Sequence, residues 1–179
     1  MPKKVIQTWP KSKSSRLTLE ELEFLKSNLE RVISFTEHLD THIAILIGFT
    51  SSIFIFSLTQ ITNQAFSSIY QTLAIFSATA TIIAILAVRP PSLLRKQGQI
   101  ESLLYRKKMI SFDSADQLAK LLPRIIEDKA YGYREFARET YNMIRYYYRP
   151  KKYFFYLART IFMIGVLVAV VMLVVYLFQ

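Results

Sequence analysis

The chain contains no cysteine, so neither a disulfide framework nor a thiolate metal site is open to it. It has only four glycines and two histidines in 179 residues, which argues against a glycine-rich phosphate loop and against a centre built from several imidazoles. Between Asp40 and Arg89 there is no Asp, Glu, Lys or Arg. A soluble core helix does not need such a stretch. A helix in lipid does, because one charged residue at its centre costs about 3 kcal/mol on insertion. No segment reads as a strand, and no internal repeat is present.

What remains is apolar and basic: 52% of residues are hydrophobic, 20% are charged and the net charge is +10. A soluble domain of this composition would be hard to keep in solution, and residence in a membrane removes the difficulty. The charge-free stretch is too long for one crossing, and it divides at Gln60-Ile61-Thr62-Asn63-Gln64, followed by Ser67, Ser68 and Gln71. The pattern predicts a helical hairpin, with span one at 43–59 and span two at 72–88. Each apolar part is about 25 Å long, slightly under a hydrocarbon core of about 30 Å, so polar flanks must dip in or the bilayer must thin. Arg89-Pro90-Pro91 stops the second helix, since proline lacks the amide donor and disfavours helix in the residue before it. The third span, 154–178, carries no charge after Arg159 and is nearly all aliphatic over 166–175.

The first apolar run begins too far along for a cleaved signal peptide, so span one is expected to be a retained signal anchor. Seven of the 23 Lys and Arg lie in residues 1–40 and sixteen in 89–159. By the positive-inside rule the N-terminus and the long polar segment face the cytosol and the C-terminus faces outward. Arg149, Lys151, Lys152 and Arg159 are placed to send their charged ends to the inner interface, with Tyr146, Tyr147, Tyr148, Tyr153 and Tyr156 as an aromatic belt.

The expected organisation is thus all-α: a disordered basic arm at 1–17, a cytosolic helix at 18–40 leading into span one, and a transmembrane hairpin at 41–88. A cytosolic helical domain at 89–152 and a terminal span at 153–179 complete it. Thr18-Leu19-Glu20-Glu21 fits a capping box. From it Leu22, Leu25, Leu29, Val32, Thr36, Leu39 and Ile43 alternate at three and four, a seam that must face another helix in this chain or another subunit. Ile100 to Ile110 reads as a short helix, and Ser114-Ala115-Asp116-Gln117 as a second capping box. Pro123 is expected to interrupt the helix that follows. Ile126, Ala130, Tyr133, Ala137, Tyr141, Ile144 and Tyr148 predict a further helix that continues through Pro150, with a kink, into span three.

The order of these elements resembles the transmembrane effectors of Pycsar, the bacterial pyrimidine-cyclase antiphage system. The residues that carry the likeness are 29–40 (LERVISFTEHLD) leading into span one, Pro90, Leu103-Leu104-Tyr105 followed by the Asp116-Gln117-Leu118 helix, Tyr141, and Lys152-Tyr153 leading to Gly165. His42 is a departure, standing where the family tends to have lysine. The resemblance implies an effector of the bacterial inner membrane that stays silent until a phage-activated cyclase makes cyclic CMP or cyclic UMP. It then impairs the membrane and causes abortive infection.

Such a ligand carries one negative charge and a base, and calls for Arg or Lys with an aromatic for stacking. Arg106, Lys107, Lys108, Arg134, Arg138 and Arg145, with Tyr105, Tyr131 and Tyr133, provide these groups; a solvated basic face near anionic lipid is the plainer reading of each. At the membrane edge, Asp40, His42, Arg89 and Lys152 form a polar or gating set, in which Asp40 is expected to pair with Arg89 or with a basic residue at the start of span three. His38 and His42 share a helix face as metal ligands would, yet there is no third imidazole or thiolate to complete a shell. No metal or other cofactor is expected. Thr50, Ser51, Ser52, Ser57, Thr59, Ser77, Thr79 and Thr81 either line a water path or bond within the helices. Small residues (Gly48 with Ser52, Ala74, Ala78, Gly165 with Ala169) favour close packing and a homo-oligomer. No nucleophile with its base and no phosphate loop is recognisable, so no enzyme is expected. The competing expectation is a membrane scaffold or accessory subunit that recruits a soluble partner through its cytosolic helices.

Overall fold

The computed structural model describes residues 16–62, 66–89, 102, 104 and 114–178. The basic arm lies outside them but for its last two residues, as does the expected helix at 100–110 but for Ser102 and Leu104. Every described element is helical: α1 (Leu19–Gln60), α2 (Ser67–Val88), α3 (Ala115–Glu127), α4 (Lys129–Asn142), a π-helical segment (Met143–Tyr148) and α5 (Arg149–Leu177). Three stretches are long and apolar enough to cross a membrane: α1, α2, and the run Lys129–Leu177 that ends in α5. The chain divides into two compact units, one of Met1–Ile33 with Gly98–Met143, the other of Ser34–Gln97 with Ile144–Gln179.

In the first unit, α1 begins at the capping box read from the sequence. The Thr18 amide donates to Glu21 Oε2 at 3.1 Å and the Glu21 amide to Thr18 Oγ1 at 3.3 Å, so two of the helix's orphan donors are satisfied. Leu22, Leu25 and Leu29, the start of the seam, pack on a core of Ile125 from α3 and Phe136 from α4. Within this chain, then, α3 and α4 supply the facing surface that the seam requires. Pro123 does not interrupt α3: the helix carries it internally and runs on to Glu127. The break comes at Asp128, whose extended backbone and carboxylate cap α4 by accepting from the Tyr131 amide at 3.0 Å. One missing donor on an exposed proline is evidently less disruptive here than a residue that caps the next helix.

Gly132 lets α4 start close against α3, because a Cβ there would strike the Ile125 carbonyl oxygen and Leu17. Lys129 meets Glu21 at 2.5 Å and, by donating a hydrogen bond, is the main reason the Glu21 carboxyl titrates below its ordinary 4.5. A carboxyl with a lowered pKa contributes stability above its ordinary range, and that contribution is lost as pH falls through the lowered value.

In the second unit the closest approach is between α2 and α5. Ala74, Ser77, Ala80, Ala84 and Ala87 form the buried face of α2, and Ala158, Phe162, Gly165 and Ala169 that of α5. Small residues let backbones come together in lipid, where packing must replace the hydrophobic effect between helices. Helix α2 starts at Ser67, five positions before the expected span, with Gln71 donating to Ser67 Oγ and Thr72 to the Ser68 carbonyl. Its 22 residues measure about 33 Å, enough to cross without thinning. Helix α1 meets the pair differently. Leu39 and Ile43 join Ala87, Phe154 and Phe155 in one cluster, and Phe49 stands edge-on to Phe162 at 5.6 Å.

The proline at 150 falls in the first turn of α5, directly after the π-helical segment. A proline that continues a helix clashes with the carbonyl four residues earlier, and a wider π turn moves that carbonyl away. The predicted continuation through Pro150 therefore holds by this local widening.

Two outcomes are expected. Replacing Gly165 with Ala puts a Cβ into Phe76 and lowers stability by about 1–3 kcal/mol, read from denaturant unfolding in mild detergent. In acid, the protection of the amides of residues 18–22 relative to their intrinsic exchange rates should fall as pH drops below 4.5. E21Q should show lower protection than the unaltered chain at neutral pH, without that acid dependence.

Candidate functional site

The membrane edge of the second unit holds one strong ion pair. Lys151 Nζ donates to both carboxylate oxygens of Asp40, at 2.6 and 2.7 Å. The lysine side chain is only 12% exposed, the aspartate 45%. Such a charge-assisted pair, half withdrawn from water, ties α1 to α5 where the apolar sequence begins. Of the other residues expected in this set, His42 lies 6.4 Å from the Phe155 ring and 5.1 Å from His38, ring to ring. Arg89 is exposed at the C-terminal cap of α2. Lys152 points elsewhere, over the rings of Tyr148 and Tyr156.

Helix register explains why Lys151 and not its neighbour pairs with Asp40. Lys151, Ala158 and Gly165 are seven apart and so share the inward stripe of α5, while Lys152 lies about 100° further round. Sequence alone held this signal, but only once the stripe was anchored on the buried alanine and glycine.

A second polar contact lies deeper. On α1 the buried residues Thr36, Ile43, Thr50 and Ser57 recur at every seventh position, so the seam extends through the span with hydroxyls in place of leucines. Thr50 Oγ1 and Thr81 Oγ1 are 2.8 Å apart, joining α1 to α2. Most of the remaining hydroxyls donate to a carbonyl one turn back: Ser52 to Gly48, Ser57 to Ile53, Thr59 to Phe56 and Thr79 to Ile75, as Thr81 also does to Ser77. Ser77 Oγ is fully buried and has no hydrogen-bond partner among the described residues. A buried hydroxyl left so costs about 1–3 kcal/mol.

In the first unit, Arg134 on α4 is exposed, whereas Arg138 donates to Glu135 at 2.6 Å, a carboxylate only 2% exposed. Arg124 lies 4.9 Å from the centroid of the Tyr131 ring. Burial, and then the Glu135 charge, raise the Tyr131 phenol above its ordinary 10, so it stays a neutral hydrogen-bond donor. Tyr105, Arg106, Lys107 and Lys108 lie outside the described residues.

Three apolar spans and polar links between them define a multi-span α-helical membrane protein, with a second, separate helical unit in the same chain. Residues 24–178 match the family model of the Pycsar effector protein domain, PycTM. The chain belongs to that family and is a Pycsar effector, a transmembrane antiphage protein. No curated protein and no solved structure matches it significantly.

Asp40→Asn should leave Lys151 without its counter-charge and cost about 1.5–3 kcal/mol in detergent-solubilised unfolding. Lys151→Met should cost a similar amount, and the double variant D40N/K151M less than the sum, since the two changes remove one interaction.

Proposed function

We propose that this effector is a non-catalytic membrane-impairing protein of the bacterial inner membrane, triggered by cyclic CMP or cyclic UMP from a phage-activated cyclase. In the resting state α2 and α5 form a closely packed pair, and α1 is attached to them by long side chains and two polar contacts, Asp40–Lys151 and Thr50–Thr81. The nucleotide binds the cytosolic helical unit. Its signal reaches the membrane through α1, which supplies Leu22, Leu25 and Leu29 to the core of that unit and Asp40 and Thr50 to the contacts within the spans. Released from them, α1 exposes its hydroxyl-bearing face, and copies of the chain associate into an oligomer that leaks. The infected cell then stops growing before phage are made.

The observation that carries this reading is the contrast within the span unit. The α2–α5 contact is made largely of alanines and a glycine at close range, whereas α1 is held by one ion pair, one hydroxyl pair, aromatic contacts and a small cluster of Leu39 and Ile43 on Ala87. Polar contacts between helices in lipid are worth only about 0.6–2 kcal/mol each, so few need to be broken. Gly48 and Ser52 lie on an open part of α1, where an added Cβ at Gly48 meets nothing within 4 Å, leaving room for another helix. The scaffold reading is weaker, because the leucine seam a soluble partner would use is covered by α3 and α4. Basic residues confined to 1–40 and 89–159 support a cytosolic N-terminus and an outward C-terminus.

Full-length chain reconstituted in dye-loaded vesicles tests the reading. Cyclic CMP or cyclic UMP should release dye, and cyclic AMP should not. Arg134→Ala, and Arg106, Lys107 and Lys108 together replaced by Ala, should raise the nucleotide concentration for half-maximal release by about tenfold or more. Leakage that ignores nucleotide, or no leakage with growth unaffected by a co-expressed cyclase, overturns it.

A further inference from the structure

The outward side of α5 carries charge that the membrane edge does not neutralise. Lys152 and Arg159 are both exposed, and among the described residues neither forms a salt bridge, the nearby Asp40 being taken by Lys151. Both converge on one ring: Lys152 Nζ is 5.7 Å and the Arg159 guanidinium 4.9 Å from the centroid of Tyr156, and Lys152 also lies 5.6 Å from that of Tyr148. Helical side chains lean toward the N-terminus of their helix, so Arg159 reaches back toward Lys152 and away from the apolar part of the span. Arg159 is about 12 Å further along α5 than Lys151, eight residues at 1.5 Å each. At that depth an uncompensated guanidinium is costly, and an anion drawn to it lowers the cost.

Below the two cations the same face is apolar. Met163, Leu167, Val170 and Val174 follow Arg159 at spacings of four and three and are each 46–64% exposed. This stripe lies about 140° round α5 from the buried stripe that meets α2, at 100° per residue. It runs about 16 Å, half of the ~30 Å hydrocarbon core and therefore one leaflet deep. A pair of cations above an apolar track of one leaflet fits an amphiphile with a negative head. A soluble anion has no use for the track.

We propose that this face of α5 is a binding site for an anionic phospholipid. The phosphodiester is held between Lys152 and Arg159 beside Tyr156, and one acyl chain lies along Met163, Leu167, Val170 and Val174. The site is separate from the Asp40–Lys151 contact and needs no nucleotide.

Native mass spectrometry of the full-length chain, extracted from vesicles of equal phosphatidylglycerol and phosphatidylcholine, tests it. The unaltered chain should retain phosphatidylglycerol over phosphatidylcholine by at least about fivefold, the advantage of one well-placed cation. Lys152→Gln with Arg159→Gln should abolish that preference at unchanged helical circular dichroism. Lys152→Arg with Arg159→Lys, which keeps both charges, should preserve it. Lys26→Gln with Arg31→Gln, the same loss of charge on exposed positions of α1, should also preserve it. Excess glycerol phosphate should displace nothing. The proposal is overturned if the unaltered chain shows no preference, if K152Q/R159Q retains it, or if K26Q/R31Q loses it equally. Displacement by glycerol phosphate, or a dimer that K152Q/R159Q dissolves while no phospholipid is retained, overturns it too, the latter by placing a second copy on this face.

Discussion

Hydrocarbon offers the backbone no hydrogen-bond partner, and a chain that must cross it has to satisfy every amide and carbonyl within its own helices. That constraint accounts for more of this protein than any single contact. It explains why the stretch between Asp40 and Arg89, which has no Asp, Glu, Lys or Arg, carries the helices α1 and α2. It also explains why serine and threonine can stand there: Ser52, Ser57, Thr79 and Thr81 return their hydroxyls to carbonyls one turn back and present no open valence to lipid. Proline at the start of α5 is admitted for the same reason, since the preceding π turn accommodates its ring without a break in the helix.

Once helices are obligatory, the differences among them lie in what they present sideways. Helix α2 presents alanines and α5 presents a glycine between alanines, and they pack backbone against backbone. Helix α1 presents a seam that changes character along its length, leucines over residues 22–29 and then Thr36, Ile43, Thr50 and Ser57. The leucine part makes a conventional core with α3 and α4. The hydroxyl part makes a few directed contacts, and Ser77 of α2 has no partner among the described residues.

Two neighbouring lysines illustrate how far register governs chemistry. Lys151 is withdrawn from solvent and bound to Asp40, while Lys152 is exposed beside tyrosines. Composition treats them as equals, and so does any count of positive charge. A rotation of about 100° separates a structural tie from an open cationic surface.

Much of this was legible in the sequence. Absence of charge located the spans, the Thr18–Glu21 pattern placed the start of α1, and the alternation from Leu22 to Ile43 required a facing helix; each rests on local hydrogen bonding or on period, which one segment carries by itself. Pro123 is not the helix break that its missing donor predicts, because the cap at Asp128, which acts only when α4 begins there, sets the break instead. The partner of Asp40, the pairing of Thr50 with Thr81 and the burial of Glu135 beside Arg138 were decided by tertiary structure. The first two join residues from different helices, and the burial of Glu135 depends on which way its helix face is turned. A single helix's sequence specifies which residues share a face, and only packing selects what that face meets.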